Sequence, residues 1–484
     1  MFRFIVTKII FIMLQRIVFT TAMFALGFGL WAQTNAVNNF MNARITQNAN
    51  VSISVKDLDT GKNLHQFRSN NTAVPASVMK LISTATMLEM YGPDFRFETR
   101  LEYDGTLGAD GVLRGNIIIR GGGDPSLGSD KMGDKAFLDK WVDALQAAGI
   151  KAVQGAVVAD ARIFDREAQN PKWIWEDLGN YYSPGVHGIS YLDNTMRVFF
   201  RSGRIGSTPE IVRYTPEVEG MQFDVQLKST SIGYDSAYFY GPAFVNYRSV
   251  HGAIPANRNE FMVRADLPNP SLVLAQHLRA RMVARAINVS DIATDNVTLI
   301  ASQTQIVHRH LSPPLVDIIT ETNVKSNNHY AEYLFRYLGA SSGAEGTTAR
   351  SIRAINAFWR ARGLPVDQMF VSDGSGLSPT NGVSANFFVE LLVYMDQKSK
   401  HSLAFRNSLA VAGKTGTLSS FLKDTTLDSK VFAKSGTLSR VKSYAGYIEN
   451  NGKRYAFAII VNNPNGSSAA VTKRMADFLV EVGR

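Results

Sequence analysis

The feature that most constrains the fold is a long central segment that separates two complementary ends. Near the start, "ANVSISVKDLDTGKNLHQFRS" predicts a hairpin, because alternating apolar residues flank a turn at 59–62. Near the end, three strand-like runs and a closing helix follow one another: "KVFAKSGTLSR", "KSYAGYIEN", "KRYAFAIIVNN" and "SSAAVTKRMADFLVEVGR". From about Phe95 to about Pro268, short β-like segments and turns fill roughly 170 residues, too many for a loop inside one compact domain. We therefore predict one domain of helices and strands built from both ends, with one or two further domains inserted.

The N-terminus has the layout of a secretory signal peptide. Residues 1–32 contain three basic residues and no acid, with an apolar stretch at 17–31. Small residues at Ala32 and Ala36 leave two cleavage sites open. The alternative is a retained anchor, but Arg16 interrupts the apolar run, so neither piece reaches the ~20 residues of a spanning helix. The sequence thus predicts export.

Composition narrows the choice of chemistry. The chain has no cysteine, which excludes disulfides, thiolate metal sites, a cysteine nucleophile and a lipid-modified N-terminal cysteine. Its formal charge of +10 would suit an anionic polymer of the cell envelope, although a diffuse surplus is also typical of a solvated surface. Because the chain has no block of five or more basic residues, we expect no nucleic-acid partner.

A serine and a lysine three residues apart stand at the start of a long apolar helix pattern, "PASVMKLISTATMLEMYG". The chain contains this spacing three times, at Ser77/Lys80, Ser420/Lys423 and Ser439/Lys442. Only the first pair opens such a helix, where free N–H groups stabilise negative charge and positions i and i+3 share one face. A lysine among apolar neighbours loses basicity and can accept a proton from Ser77. The alternative is that Ser77 merely caps the helix while Lys80 extends toward solvent.

A second motif, serine-x-asparagine, also occurs three times, at 69–71, 326–328 and 384–386. The first copy lies upstream of Ser77, and the third suits the N-cap of "ANFFVELLVYM". Ser326-Asn327-Asn328 lies on a short polar link between two helical stretches and has the right place in the order of the chain. The combination of S-x-x-K, S-x-N and K-T-G is the signature of serine β-lactamases and penicillin-binding proteins.

The third motif has two candidates. "GKTGTL" at Lys414 matches the literal K-T-G, whereas "AKSGTL" at Lys434 carries serine in place of threonine. The motif belongs on a strand that is followed directly by two further strands of the same sheet. Only Lys434 has such neighbours, because Lys414 precedes the loop-like "SSFLKDTTLDS". We therefore place the motif at Lys434.

Over nearly its whole mature length the chain resembles the D-alanyl-D-alanine carboxypeptidase/endopeptidases of the penicillin-binding protein 4 type. The stretches that carry the resemblance are "PASVMKLIST", "RGGGDPSL", "VVADARIFD", "KSNNHYAEYL", "VSDGSGLSPTN", "AGKTGTLSSFL" and "VFAKSGTLSRVKSYAGYI". A Gly-Thr-Leu stretch precedes the true box in that family, which favours Lys434. The departures are Asn327, where the family often has an acid, and Ser435 for threonine.

The resemblance implies an α+β fold, in which helices flank an antiparallel five-stranded sheet and β-rich domains are inserted between the first two motifs. The expected boundaries are a signal peptide at 1–32, the first part of the catalytic domain at 33–95, two inserted domains at 96–267 and the second part at 268–484.

The resemblance also implies how peptide bonds are cleaved. Ser77 attacks the carbonyl of the penultimate D-alanine and forms an acyl-enzyme, while Lys80 accepts its proton. The hydroxyl of Ser326 relays a proton toward the leaving amine. The backbone N–H groups of Ser77 and Thr437 form the oxyanion hole.

Substrate binding is assigned in the same way. The Asn328 amide holds the peptide group of the substrate, and Lys434 binds the terminal carboxylate together with the hydroxyls of Ser435 and Thr437. The expected partners are peptidoglycan stem peptides and, as inhibitors, β-lactams, with no cofactor and no metal. The expected location is the periplasm. The sequence leaves four points open: whether carboxypeptidase or endopeptidase activity dominates, the role of the inserted domains, peripheral contact with the membrane, and the oligomeric state.

Other classes fit less well. A Ser-His-Asp hydrolase lacks its elbow, because Asp373 precedes the Gly-Ser-Gly around Ser375, which we interpret as a turn near the active site. The histidines at 308, 310 and 329 form no metal motif and are expected in loops and on the surface. A class A β-lactamase would carry E-x-x-L-N, which supplies a glutamate to activate the deacylating water, but this pattern is absent between Ser326 and Lys434. A non-catalytic peptidoglycan-binding protein would be free to lose one of the motif residues.

Overall fold

A six-stranded antiparallel sheet joins the two ends of the chain. The computed structural model describes residues 36–340 and 343–484, so the signal peptide expected at 1–32 lies outside the described residues. In spatial order the strands are Asn63–Phe67, Asn50–Asp57, Lys453–Asn462, Val441–Asn450, Val431–Leu438 and Ala410–Val411. Every neighbouring pair is antiparallel. The five strands expected from the sequence are present, and a two-residue strand adds a sixth.

The turns of this sheet follow from local sequence. Asn451 and Gly452 both have left-handed backbone angles, with φ of 53° and 75°. A two-residue hairpin loop requires such angles at both positions, and asparagine followed by glycine supplies them at the lowest cost. The front strand pairs with Lys453–Asn462 over its full length, from Asn50 opposite Asn462 to Asp57 opposite Tyr455.

Helices cover both faces of the sheet. One face and its helices form a large apolar core. The helices of this face are Lys80–Tyr91, Leu315–Val324, Asn328–Gly339, Thr348–Arg360, Ala385–Gln397 and Ser402–Asn407. The closing helix, Ser468–Val482, covers the other face together with residues 36–42. Phe40 meets Phe478 there, with ring centroids 5.5 Å apart.

The inserted segment has a separate core. Its sheets are Thr304–Leu311/Glu98–Asp104/Ile117–Arg120/Val157–Asp160, Asn288–Val289/Ala152–Val153/Val112–Arg114/Thr106–Leu107, Glu210–Thr215/Thr195–Ser202/Arg258–Asp266, Gln222–Val225/Tyr247–His251/Tyr238–Tyr240 and Lys228–Thr230/Ala253–Pro255. Its helices are Phe137–Ala147 and Pro270–Ala284. Apolar residues from the strands that precede Thr195 and from the strands that begin at or after Thr195 belong to one continuous cluster. The inserted segment therefore has one main core instead of two.

After the inserted segment, the chain re-enters the first core later than residue 268, the boundary expected from the sequence. Helix Pro270–Ala284 packs its apolar residues into the core of the inserted segment. Strand Thr304–Leu311 pairs with Glu98–Asp104 at the start of that segment. We therefore place the return at Leu315, whose helix belongs to the first core. Periodicity identified the helix at 270 but could not show which core it contacts.

The remaining elements are short. A three-stranded sheet combines Thr72–Ala73, Gly382–Ser384 and Met369–Phe370. The 3-10 turns are Ala76–Met79, Trp175–Asp177, Leu192–Asn194, Val297–Leu299, Val366–Gln368 and Gly416–Leu418. Ser384 caps its helix as expected, since its side chain accepts a hydrogen bond from the N–H of Phe387. Among the described residues, no helix is both long and apolar enough to cross a lipid bilayer.

Candidate active site

Ser77 lies on a tight turn beneath the sheet edge. The turn Ala76–Met79 is a 3-10 helix, and the α-helix begins only at Lys80, two residues later than a cap at Ser77 would require. Ala76 has a left-handed φ of 47°, and Val78 and Met79 are fully buried. The hydroxyl of Ser77 therefore stands at the entrance of an apolar helix without capping it.

Lys80 is fully buried and surrounded by three oxygen atoms. Its ammonium donates to the Ser77 hydroxyl at 2.9 Å, to the Asn328 side-chain oxygen at 2.6 Å and to the Ser375 carbonyl at 2.6 Å. An ammonium has three protons and thus satisfies all three acceptors. Burial lowers the pKa of Lys80 to about 7, against the opposing effect of nearby carboxylates. A neutral amine would keep two donors and turn its lone pair toward Ser77.

Two buried carboxylates, Glu332 and Asp373, hold the turn that faces Lys80. Glu332 accepts from the N–H of Ser375 at 2.7 Å, and Asp373 accepts from the N–H of Gly376 at 2.8 Å. The peptide group between Ser375 and Gly376 thus donates to Asp373 and accepts from Lys80. Burial raises the pKa of both carboxyl groups. The sequence analysis located this turn near the site but missed both acids, although "DGSG" and "NNHYAE" carried them.

The link between two helices positions Ser326 and Asn328. Helix Leu315–Val324 ends just before it, and Asn328 begins the next helix. Ser326 takes a left-handed φ of 59°, so its side chain leaves the helical path. The Asn328 amide nitrogen donates to the Tyr182 carbonyl at 2.8 Å, while its oxygen accepts from Lys80. Asn328 thereby joins the site to the inserted segment.

Lys434 lies on strand Val431–Leu438, directly across from Ser326. Its ammonium donates to the Ser326 hydroxyl at 2.8 Å and to the Ser435 carbonyl at 2.7 Å. The side chain is fully buried. Burial lowers the pKa of Lys434 well below its usual value, and the charges of Lys80 and Lys442 lower it further. An anion in the site would reverse this effect.

The other lysine box supplies a different group. Lys414 is 55% exposed and pairs with Asp428 at 3.2 Å, away from the reacting groups. Thr417, three residues later, nevertheless reaches the site, because the Ser435 hydroxyl donates to its hydroxyl at 2.7 Å. Sequence reasoning missed Thr417, although the repeated Gly-Thr-Leu was the signal that could have identified it.

Lys442 was also missed, because its Ser-x-x-Lys spacing was set aside. Its ammonium donates to the exposed Thr437 hydroxyl at 2.8 Å across the hairpin. Burial lowers the pKa of Lys442. The entrance of the site therefore has a third lysine beside Lys80 and Lys434.

The sheet edge above Ser77 is open. The short sixth strand pairs only with Phe432 and Ala433. Within the described residues, no strand pairs with the outer side of 434–438. Gly436 lies on this stretch, where a Cβ atom would clash with the Ser443 hydroxyl and would meet the Pro75 carbonyl at 2.6 Å and the Ser77 nitrogen at 3.0 Å. An extended peptide can add to such an edge through main-chain hydrogen bonds.

The inserted segment contacts the site at several points. Besides Tyr182, it provides Trp173, whose indole N–H donates to Asp373 at 2.9 Å. The Asn170 amide donates to the Ser372 carbonyl at 2.7 Å. Trp173 and Asn170 are both buried. The inserted segment is therefore part of the support that fixes the turn facing Lys80.

The histidines occupy other positions than expected. His329 is buried, with its Nε2 atom 2.9 Å from the Ser190 hydroxyl, and burial lowers its pKa to about 4. His308 and His310 lie on strand Thr304–Leu311, not in a loop. The expectation of loop and surface histidines was therefore wrong. Across 36–340 and 343–484, no group of three His, Cys, Asp or Glu side chains could hold a metal ion.

A serine–lysine pair, a Ser-x-Asn link and a lysine box on one sheet edge define the class of penicillin-binding proteins and serine β-lactamases. Residues 34–482 match the model of the D-Ala-D-Ala carboxypeptidase 3 (S13) family. The chain belongs to that family, which confirms the resemblance seen in the sequence.

Relatives span most of the chain. The chain is 26% identical over 452 residues to a D-alanyl-D-alanine carboxypeptidase from Actinomadura sp. (strain R39), covering 88% of this chain and 81% of the relative. It is 26% identical over 454 residues to D-alanyl-D-alanine carboxypeptidase DacB from Haemophilus influenzae, covering 90% of each. The crystal structure of penicillin binding protein 4 (dacB) from H. influenzae has a TM-score of 0.81 at 22% identity, covering 93% of this chain and 99% of that one. A complex of that protein with a β-lactam has a TM-score of 0.76 at 21% identity, with the same coverage. These structures share the fold.

The close packing at Gly436 can be tested with one methyl group. We expect Gly436→Ala to lower the free energy of unfolding by about 1–3 kcal/mol, because its Cβ atom would crowd the serine turn. Chemical denaturation would measure the loss. Gly382→Ala is the matched control, since the nearest atom to its Cβ, on Thr72, lies 3.6 Å away. Equal stability of the two variants would contradict tight packing of the strand on the turn.

Proposed function

We propose that this protein is a serine D-Ala-D-Ala carboxypeptidase/endopeptidase that cleaves peptidoglycan stem peptides through an acyl-enzyme. The observation that carries the proposal is the contact of 2.9 Å between the buried Lys80 amine and the Ser77 hydroxyl. A buried lysine with a pKa of about 7 is a competent proton acceptor at neutral pH. The membership of the chain in the S13 family supports the same substrate class.

Acylation begins with the neutral form of Lys80. Its lone pair accepts the Ser77 proton while Ser77 Oγ attacks the carbonyl carbon of the penultimate D-alanine. Negative charge develops on the carbonyl oxygen, which the N–H groups of Ser77 and Thr437 are placed to bind in this proposal. The contact of Gly436 with the Ser77 turn supports this pairing, because it holds the strand close to the nucleophile.

Departure of the terminal D-alanine needs a proton on its amine. Lys80 carries the proton taken from Ser77, and the Ser326 hydroxyl is the proposed relay to the leaving nitrogen. Lys434 donates to Ser326 at 2.8 Å, which orients the hydroxyl lone pairs and stabilises negative charge on the oxygen. Lys80, neutral again, accepts a proton from water as the water oxygen attacks the acyl carbon, and returns it to Ser77 Oγ as the ester bond breaks and the shortened peptide leaves. In cross-link cleavage, the amine of a second stem peptide is the leaving group.

Recognition of the free C-terminal carboxylate is assigned to Lys434, Ser435 and Thr437. A buried ammonium with a depressed pKa regains its charge when an anion enters, so binding and charge are coupled. The Ser435 and Thr437 hydroxyls lie beside it on the same strand, in contact with Thr417 and Lys442 respectively. The Asn328 amide is proposed to hold the preceding peptide group.

A β-lactamase is the nearest alternative. Class A β-lactamases use a dedicated glutamate to activate the water that deacylates the β-lactam. Glu332 and Asp373 are the buried acids nearest Lys80, and both are occupied by backbone N–H groups. We therefore expect β-lactams to remain attached to Ser77 and to inhibit the enzyme.

Because peptidoglycan lies outside the cytoplasmic membrane, the proposed substrate also implies export to the periplasm through the signal peptide at 1–32.

The nucleophile can be tested by intact-mass analysis after exposure to benzylpenicillin. The mature protein is expected to gain one covalent adduct, and Ser77→Ala to gain none. The substitution should leave the fold intact, because the Ser77 side chain forms no helix cap. Thermal unfolding checks this control. An adduct that persists in Ser77→Ala would refute the assignment of the nucleophile.

The role of Lys80 predicts a pH dependence. The acylation rate constant should rise about tenfold per pH unit below pH 7 and level off above it, because only the neutral amine accepts the proton. Stopped-flow measurement with a chromogenic cephalosporin between pH 5 and 9 would record the profile. A flat profile across pH 7, or a fall with rising pH, would contradict Lys80 as the base.

The two lysine boxes give a matched comparison. Lys434→Ala should lose roughly 30–150-fold in kcat/KM on peptides ending in D-Ala-D-Ala, because a charge-assisted contact contributes about 2–3 kcal/mol. Lys414→Ala removes only an exposed ion pair, which contributes ~0–1 kcal/mol to stability, and should keep its activity. Steady-state kinetics on both variants, after circular dichroism confirms folding, would decide. If Lys434→Ala keeps its kcat/KM while Lys414→Ala loses it, the placement of the lysine box at Lys434 is wrong.

A further inference from the structure

A cavity of about 610 Å³ opens beside the reacting groups, between the catalytic core and the inserted segment. Ser326 and Asn328 form part of its wall, so the cavity is continuous with the site. The facing wall comes from the inserted segment and includes Tyr181, Arg197 and Arg264. A volume of this size accommodates several residues of a peptide.

Some charged side chains that line the cavity form ion pairs with each other, and others do not. Lys131 pairs with Asp193 at 2.7 Å, and Arg197 pairs with Asp130, which Lys135 also contacts, so Lys131 and Arg197 each have a carboxylate partner. The remaining carboxyl group, Glu321, is half-buried, and burial raises its pKa. The charges of Lys131 and Lys325 oppose that rise.

Two cations remain, one on each wall. Arg264 is exposed and stacks on the Tyr181 ring, with its guanidinium carbon 3.9 Å from the ring centroid. Lys325 is exposed and directly precedes Ser326. Neither forms an ion pair with any carboxylate of the residues that the structure describes. A guanidinium held flat on an aromatic ring keeps its donors free for a carboxylate.

We propose that this cavity binds the second stem peptide of a cross-linked substrate, with Arg264 and Lys325 recognising its carboxylates. The inference rests on the proposed function and adds to it a preference for cross-linked over single stem peptides. Cross-linked substrates continue into a second stem peptide past the scissile bond, whereas a single stem peptide ends one D-alanine beyond it. Placement of one cation on each core means that the inserted segment contributes directly to substrate choice. Lys325 and Arg264 act here as specificity-determining residues.

The test compares two substrates on purified mature enzyme. One is an N-acylated tripeptide ending in D-Ala-D-Ala, whose only carboxylate is its C-terminus. The other is a cross-linked dimer of stem peptides. Arg264→Gln and Lys325→Gln should each lower the ratio of kcat/KM for the dimer to that for the tripeptide by roughly tenfold, mainly through KM. A dimer whose extra carboxylates are amidated should be a correspondingly poorer substrate of the unaltered enzyme and insensitive to both substitutions.

Arg258→Gln is the matched control, because Arg258 is an exposed arginine on the same strand as Arg264 and does not line the cavity. An unchanged ratio in Arg264→Gln and Lys325→Gln would refute the proposal, as would an equal fall in Arg258→Gln. A parallel loss on both substrates would show a structural effect and also refute it. Failure of the unaltered enzyme to cleave the tripeptide would instead count against the proposed function, so the two failures are distinguishable.

Discussion

The arrangement of the site depends on the exclusion of water from one ammonium group, that of Lys80. Lys80 is fully buried, and its three protons are matched by oxygen atoms from three different parts of the chain. Burying a charge without partners is costly, so the serine turn, the Ser326–Asn328 link and the turn at Ser375 must come together. Glu332 and Asp373 then fix that turn through its backbone N–H groups. The geometry around Ser77 is therefore a consequence of surrounding one buried lysine with oxygen atoms.

A second buried lysine gives the site its dependence on an anion. Lys80 disfavours the charge of Lys434, and solvent is excluded from both side chains. Such an arrangement is unfavourable until a carboxylate enters, so part of the binding free energy of the substrate comes from relieving the repulsion. This gives a physical reason for a cation at the sheet edge in an enzyme proposed to bind a free carboxylate beside the scissile bond.

The sequence predicted the parts of the structure that depend on local patterns. The front hairpin, the Asn451-Gly452 turn and the cap at Ser384 all follow from residue type and spacing. Strand order also explains why Lys434, and not Lys414, contacts Ser326. Long-range contacts were beyond this reasoning. Nothing local to Trp173 or Tyr182 indicates a contact with Asp373 or Asn328, because these pairs are brought together by the docking of the inserted segment. The extent of the inserted segment was beyond sequence reasoning for the same reason.

The pairing of the front strand with Lys453–Asn462 has a consequence for how the chain folds. The front strand, Asn50–Asp57, can pair only after Lys453–Asn462 has been synthesised, close to the end of translation. Contacts between residues this far apart in sequence slow folding. Strands Glu98–Asp104 and Thr304–Leu311 pair with each other, so the inserted segment can close on itself first. Once formed, it brings the flanking chain together and shortens the loop that the final pairing must close, which reduces the entropic cost of closure. The inserted segment would thus act as an internal folding aid, assembled before the sheet that it interrupts.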